Sequence, residues 1–257
     1  MIKRSDTKVR KLLIGDRMST SEKYRALVIG RQDWWSLIKY EMVILFCSWI
    51  PGVIGLFLRA KLYPMLLGHV GRGVVFGTNV MLRHAHKIDI GDDVVIDDNC
   101  LLDAKGAANK GISLGSRVYV GRNSILSCKD GDIRLDDGVN IGFNCEIFSS
   151  SSVKVGRDTL IGAYTYLIGG GNYALDEEQD SFAEQDGMNS KGGVEIGPGA
   201  WIGADVKIFD GVQIGSESVI GAGAVVKDDI PPRSIAAGIP AKLMRTRSNA
   251  LTNKAEL

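Results

Sequence analysis

From residue 196 onward, Ile196, Ile202, Ile208, Ile214, Ile220 and Val226 stand six residues apart without a break. An amphipathic helix repeats near 3.6 residues and a single strand at 2, so neither template holds this spacing. A solenoid does. Four positions after each of these residues comes a small or β-branched one: Ala200, Val206, Val212, Ser218, Ala224 and Ile230. Gly follows directly in Ile196-Gly197, Ile202-Gly203, Ile214-Gly215 and Ile220-Gly221. The same register returns upstream as Ile90, Ile96, Leu102, then Leu114, Val120, Leu126, then Leu135, Ile141, Ile147, then Val155, Ile161, Leu167. Each group of three reads as one triangular coil: three short strands with an inward aliphatic residue, and a Gly that relieves crowding at the corner. Six or seven coils at roughly 4.8 Å make a prism about 30 Å long. The predicted class is therefore all-β, a parallel β-helix. Cys100 and Cys145 occupy inward small positions and read as core. Register slips fall at 82–90, 126–135 and 147–155, and larger insertions at 103–113 and 168–195. In a solenoid, insertions are where binding surfaces are built.

The length, 257 residues with 45% apolar, accommodates one repeat domain and a smaller appendage. Three segments result: 1–69, the β-helix at 70–240, and a tail at 241–257. A formal charge of +1 gives no global field toward nucleic acid or an anionic surface, so any membrane contact must be apolar. Four cysteines without C-x-x-C spacing point to a reducing cytoplasm. No apolar run follows the basic start before residue 42, which argues against a cleaved signal peptide.

Residues 42–58 are free of charge, with Lys39 and Glu41 before them and Arg59 and Lys61 after. As a straight helix they would reach about 25 Å, short of a roughly 30 Å hydrocarbon core. Pro51-Gly52 breaks the middle. The stretch reads as a re-entrant or interfacial helix–break–helix, with Trp34, Trp35, Trp49 and Tyr63 suited to the headgroup level. The competing reading is a helix pair that covers the open end of the prism.

The C-terminal repeats carry Ala200-Trp201-Ile202-Gly203, Gly211-Val212-Gln213-Ile214-Gly215, Ile220-Gly221-Ala222-Gly223-Ala224-Val225-Val226, Ile230-Pro231-Pro232 and Ala237-Gly238-Ile239-Pro240-Ala241-Lys242. On these motifs, residues 70–247 resemble the hexapeptide-repeat acyltransferases, which include sugar and polysaccharide O-acetyltransferases. The resemblance implies a left-handed coil, a homotrimer and active sites in grooves between neighbouring prisms. The hand rests on the resemblance alone, because parallel crossovers are otherwise right-handed. It further implies an acyl-coenzyme A co-substrate, acetyl first, lying along Gly221, Ala222, Gly223 and Ala224 beside Trp201. Lys242 and Arg245 would meet its phosphates.

Acyl transfer to a hydroxyl needs a base and donors for the developing oxyanion. In such relatives a histidine opens the long loop before the Trp-Ile-Gly coil. Here that place reads Gly169-Gly170-Gly171-Asn172-Tyr173, and Asn172 cannot act as a base at neutral pH. The histidines are His69, His84 and His86. His69 reads as surface linker. His84 is the first candidate base and His86 the second, in a slipped corner expected to push side chains outward, with Asp103 and Asp97 placed to orient the ring. They stand three to four coils, roughly 15–20 Å, from the 168–195 loop. That loop carries Asp176, Glu177, Glu178, Asp180, Glu184 and Asp186, which suits a hydroxyl-rich acceptor or a plain solvated loop. Three histidines in this arrangement do not match a zinc site, so no metal is expected.

The expected activity is acyl transfer to a hydroxyl of a sugar or polysaccharide precursor, a lipid-linked one included, at the inner face of the cell membrane. An amino-sugar N-acyltransferase and a non-catalytic trimeric scaffold are the alternatives.

Overall fold

The computed structural model describes residues 19–171 and 189–247. Within them, strands of two to five residues wind into a triangular parallel β-helix with three sheets of seven, nine and seven strands. Sheet A runs from His69–Val70 to Gln213–Ile214, sheet B from Val75–Phe76 to Val219–Ile220, and sheet C from Met81–Arg83 to Val225–Val226. Sheet B gains two strands, Ser234–Ala237 and an antiparallel Lys242–Thr246, which close the far end.

The six-residue register is the register of burial. Ile90, Ile96, Leu102, Val120, Leu126, Ile141, Ile147, Ile161, Leu167, Ile202, Ile208 and Ile220 are all buried, each contributing about 1.5–3 kcal/mol by transfer from water. Cys100 and Cys145 lie in this core, as their register implied, and Cys47 and Cys128 join them as buried free thiols. Consecutive coils superpose with a fixed offset: Asp132 pairs with Ser152, and Ser149 with Gly169.

The corner glycines serve close stacking. A Cβ on Gly121 would stand 2.6 Å from the Gly142 carbonyl carbon, and one on Gly162 2.5 Å from the Ala204 nitrogen. The left-handed residue of the turn lies two positions later, where Asn79, Asn99, Asn123, Asn144, Tyr164, Asp205 and Gly223 all have φ between +54° and +69°. Asn and Asp accept this conformation most readily among residues with a side chain.

At the start of the prism, the first coil has backbone acceptors with no coil beneath them. The N-terminal segment supplies the donors. Helix α1 (Thr20–Tyr24), opened by a Ser19–Glu22 capping box, runs into a π-helical turn, Arg25–Ile29, ended by Gly30 in the left-handed region. Helix α2 (Trp34–Cys47) is capped by Asp33, and Pro51 separates it from α3 (Gly52–Leu62). The Arg59 side chain, 1% exposed, donates to the carbonyls of Phe76, Cys47 and Ile50. The hydroxyl of Tyr63 donates to Val80 O at 2.9 Å and that of Tyr40 to Leu82 O at 2.8 Å. A sheet edge is thereby satisfied and closed to further strands.

The helix pair thus covers the open end, and its other side is apolar and uncovered. Trp35 and Val53 are about four-fifths exposed (80% and 81%), and Ile38, Met42, Leu45, Phe46, Trp49, Ile54 and Phe57 are also exposed. No helix among the described residues is long and apolar enough to cross a membrane.

Candidate active site

At the far end, the strand Trp201–Ile202 enters the corner Gly203-Ala204-Asp205, on which the corner Gly221-Ala222-Gly223 is stacked. A Cβ on Gly203 would lie 2.6 Å from the Ala222 nitrogen, and one on Gly221 2.8 Å from the Ala237 Cβ, so both must be glycine. At Gly223 the reason differs. Its φ is +69° and a Cβ there would meet nothing within 4 Å. The result is an exposed backbone turn bare of side chains, with Ala222 at its crest and Ala224 buried behind it.

Ala237 stacks over Gly221 and pairs with Lys242 across the antiparallel ladder, while Arg245 pairs with Ile235. Lys242 is therefore two strand spacings, about 10 Å, from the turn. Lys242 and Arg245 are exposed, and neither forms an ion pair among the described residues. Trp201, 55% exposed, projects from sheet B one strand below Val219. Trp201, Gly221, Ala222, Gly223, Ala224, Lys242 and Arg245 thus lie on neighbouring strands and corners at the far end of the prism.

The histidines stand elsewhere. Arg83 ends the first strand of sheet C and Val225 begins its last, six spacings or about 29 Å apart. The slipped corner does not push His84 outward: it is 7% exposed beneath the π-helical turn. Its main-chain N donates to Val28 O at 2.8 Å, and Nε2 donates to Ala26 O at 3.0 Å. Its Nδ1 is buried without a partner, and a Cβ on Gly30 would lie 2.6 Å from it. This ring spends its donors tying the N-terminal segment to the first coil. Burial depresses its pKa.

The anticipated orienting carboxylates do not reach the ring. Asp103 faces Arg83 at 3.6 Å and the Lys105 nitrogen at 3.1 Å, and Asp97 accepts from the Tyr119 hydroxyl at 3.0 Å. His86 is half-buried, its ring stacked on His84 at 6.2 Å, and burial followed by the nearby Arg31 charge pulls its pKa down to about 4. His69 is exposed in the first strand of sheet A.

The long corners do share one feature. Those after Leu101–Asp103 and Tyr166–Gly169 lie on the same edge, between sheets C and A, below the His84 corner by one and four coils. Asn172 and the acidic run 176–186 lie outside the described residues. The return of this loop is anchored by Asp210, a residue the sequence reading missed. It accepts from Ser190 Oγ at 3.0 Å and from the Gly193 nitrogen at 2.8 Å. Nothing in the local pattern marks Asp210 as buried, because it follows the inward Ile208 at an ordinary corner.

A long β-helix with a bare Gly-Ala-Gly turn and a basic strand beside it defines the class of hexapeptide-repeat transferases. The profile of the family described as bacterial transferase hexapeptide (six repeats) matches residues 193–228. A Staphylococcus aureus (strain Mu50) protein that bears an acetyltransferase name is 32% identical over 133 residues, 46% of this chain and 67% of the relative. The Escherichia coli (strain K12) lipopolysaccharide biosynthesis O-acetyl transferase WbbJ is 32% identical over 126 residues, 45% of this chain and 61% of its own length. Among solved structures, AntD, a Bacillus cereus N-acyltransferase in complex with dTDP and 3-hydroxybutyryl-CoA, superposes with a TM-score of 0.53 at 19% identity, over 82% of this chain and 95% of AntD. The chain belongs to the hexapeptide-repeat acyltransferase family, and it is an acyltransferase.

Proposed function

We propose that the protein transfers an acyl group, acetyl first, from acyl-coenzyme A to a hydroxyl of a sugar or polysaccharide precursor. The observation that carries this reading is the bare turn Gly221-Ala222-Gly223 with Lys242 and Arg245 beside it. A pantetheine arm can lie against a turn without side chains, and the two cations suit the phosphates at its other end. The coenzyme A complex of the structural relative and the O-acetyl transferase name of WbbJ support the same choice.

His84 and His86 stand about 29 Å from that turn, and His84 is committed to Ala26. The donor turn lies on the edge between sheets B and C and the 168–195 loop departs from the edge between sheets C and A, so loop and turn meet across a groove between neighbouring prisms, and Asn172 is the first residue to mutate on the acceptor side. Sheet B presents a largely apolar outward column with Val75, Leu160 and Trp201, sheet C a mixed one with Met81, Glu146 and Lys207, and sheet A a charged one with Asp89, Arg134, Lys154 and Glu195. A homotrimer that packs the B face of one prism on the C face of the next buries both columns. The apolar outer face of α2 and α3 supports a place at the inner face of the membrane, where the acceptor would be lipid-linked.

The test is calorimetric titration with acetyl-, longer acyl- and free coenzyme A. Saturable binding that Lys242→Glu weakens at least about tenfold is expected, since a charge-assisted contact contributes about 1.5–3 kcal/mol. No binding of any of the three sinks the donor assignment. Release of the product's acyl group by mild alkali identifies an ester, and resistance identifies an amide.

A further inference from the structure

Between the π-helical turn, α2 and the His84 corner lies a shallow, open hollow. Ile29, Leu66 and Ala85 form its apolar part, and Arg31, Ser36, Lys39 and His86 its polar part. Arg31 and Lys39 are exposed and form no ion pair or side-chain hydrogen bond among the described residues. Two acids lie nearby: Asp33, which accepts from the Ser36 nitrogen at 2.8 Å and from its side chain and lies within electrostatic reach of Arg31, and Glu41, which accepts from the Tyr24 hydroxyl at 2.6 Å.

The position of this pocket matters as much as its charge. On α2, Trp34, Trp35, Ile38, Met42, Leu45 and Phe46 project to one exposed arc, and Trp49 just beyond it is also exposed. Tyr40, Val43 and Cys47 pack against the prism. Lys39 falls on the flank between the two and Ser36 on the prism side, so the hollow opens beside the apolar arc. An apolar face with a basic hollow at its rim has the charge and layering of a bilayer boundary, with acyl chains under the arc and phosphates at the flank.

We propose that the hollow formed by Arg31, Ser36, Lys39 and His86 binds the phosphate of an anionic phospholipid headgroup as the apolar arc enters the bilayer. The site rests on the membrane placement of α2 and α3 proposed above. Arg31 offers a planar fork and Lys39 a point charge to the phosphate oxygens. The His86 ring, one nitrogen of which is directed at the Ile29 backbone, can donate from its other nitrogen once protonated.

The experiment is cosedimentation of the full chain with vesicles of phosphatidylcholine alone and of phosphatidylcholine with phosphatidylglycerol, for the native chain and Arg31→Gln/Lys39→Gln. Binding to the anionic vesicles should exceed binding to the neutral ones. The double variant should lose roughly thirtyfold on the anionic vesicles, at about a fivefold loss for each basic contact, and little on the neutral ones. Its unchanged titration with acyl-coenzyme A would report an intact fold. Short-chain phosphatidylglycerol below its micellar concentration should raise the His86 pKa, followed by imidazole NMR, and inorganic phosphate at equal concentration should do so less. An equal rise with inorganic phosphate would reassign the hollow to a free anion. Equal binding to both vesicle types, or no effect of the double variant, overturns the headgroup site and leaves membrane placement standing. No binding to either vesicle overturns both, and assembly of trimers end to end would assign the arc to a second copy.

Discussion

Arg59 is a cation in the lid of the prism with no carboxylate beside it, held by three carbonyl oxygens from the first coil and the helix break. Hydrogen bonds to a charged donor are worth more than neutral ones, and their loss leaves buried acceptors unpaired. Arg59→Met is expected to cost about 3–5 kcal/mol in urea denaturation, far more than an exposed arginine would. His86 makes a second prediction. Its folded pKa, about 4, lies below the 6.5 of a free imidazole, so between these values the unfolded chain binds more protons than the folded one. Stability therefore falls as pH drops from about 6.5 toward 4, and burial of His84 acts in the same direction. Tryptophan fluorescence against pH should show the α2 region loosening in that window. In His86→Gln much of this slope should disappear. Neither role was visible beforehand: a corner histidine and an arginine after an apolar run gain their meaning only from segments distant in sequence, Ile29 and Arg31 for His86 and Phe76 for Arg59.

At the scale of the elements, the repeat was legible because it is a constraint on every coil at once. Each inward position must be aliphatic, and each first corner position must leave room for the coil above, so the pattern prints itself into the chain. The left-handed corner position is less legible, because Asn, Asp, Tyr and Gly all occupy it. The Gly221-Ala222-Gly223 turn was legible as a motif, and its shape emerges only from space. Gly223 is the corner of its column that needs no Cβ clearance. Gly223→Val should therefore cost only about 1–2 kcal/mol of backbone strain. Its isopropyl group would stand in the path of the pantetheine arm and weaken acyl-coenzyme A binding at least about tenfold, measured by the same titration. Retained affinity would move the donor away from this turn.

For the molecule as a whole, sheet B carries the most apolar outward column, and the proposed trimer would bury it. Leu160→Lys, on the outward column of sheet B, is expected to reduce the mass seen by light scattering from three chains to one while the β-sheet circular dichroism is retained. A mass that stays at three chains would put the contact elsewhere. The histidine corner expected to be exposed is buried under the helical cover, about 29 Å from the Gly221-Ala222-Gly223 turn at the other end of the prism. Local motifs report what each coil contains, and coil number decides how far apart two motifs lie.

That separation makes the prism a ruler. Coils four and five superpose residue for residue, Asp132 on Ser152 through Ser149 on Gly169, so excision of 132–151 would rejoin the winding in phase. The shortened chain would carry the same two ends about 4.8 Å closer together. With one end seated on a lipid surface, coil number sets the height at which an acyl group is delivered. A chain one coil shorter would then select acceptors whose reactive hydroxyl sits nearer the lipid.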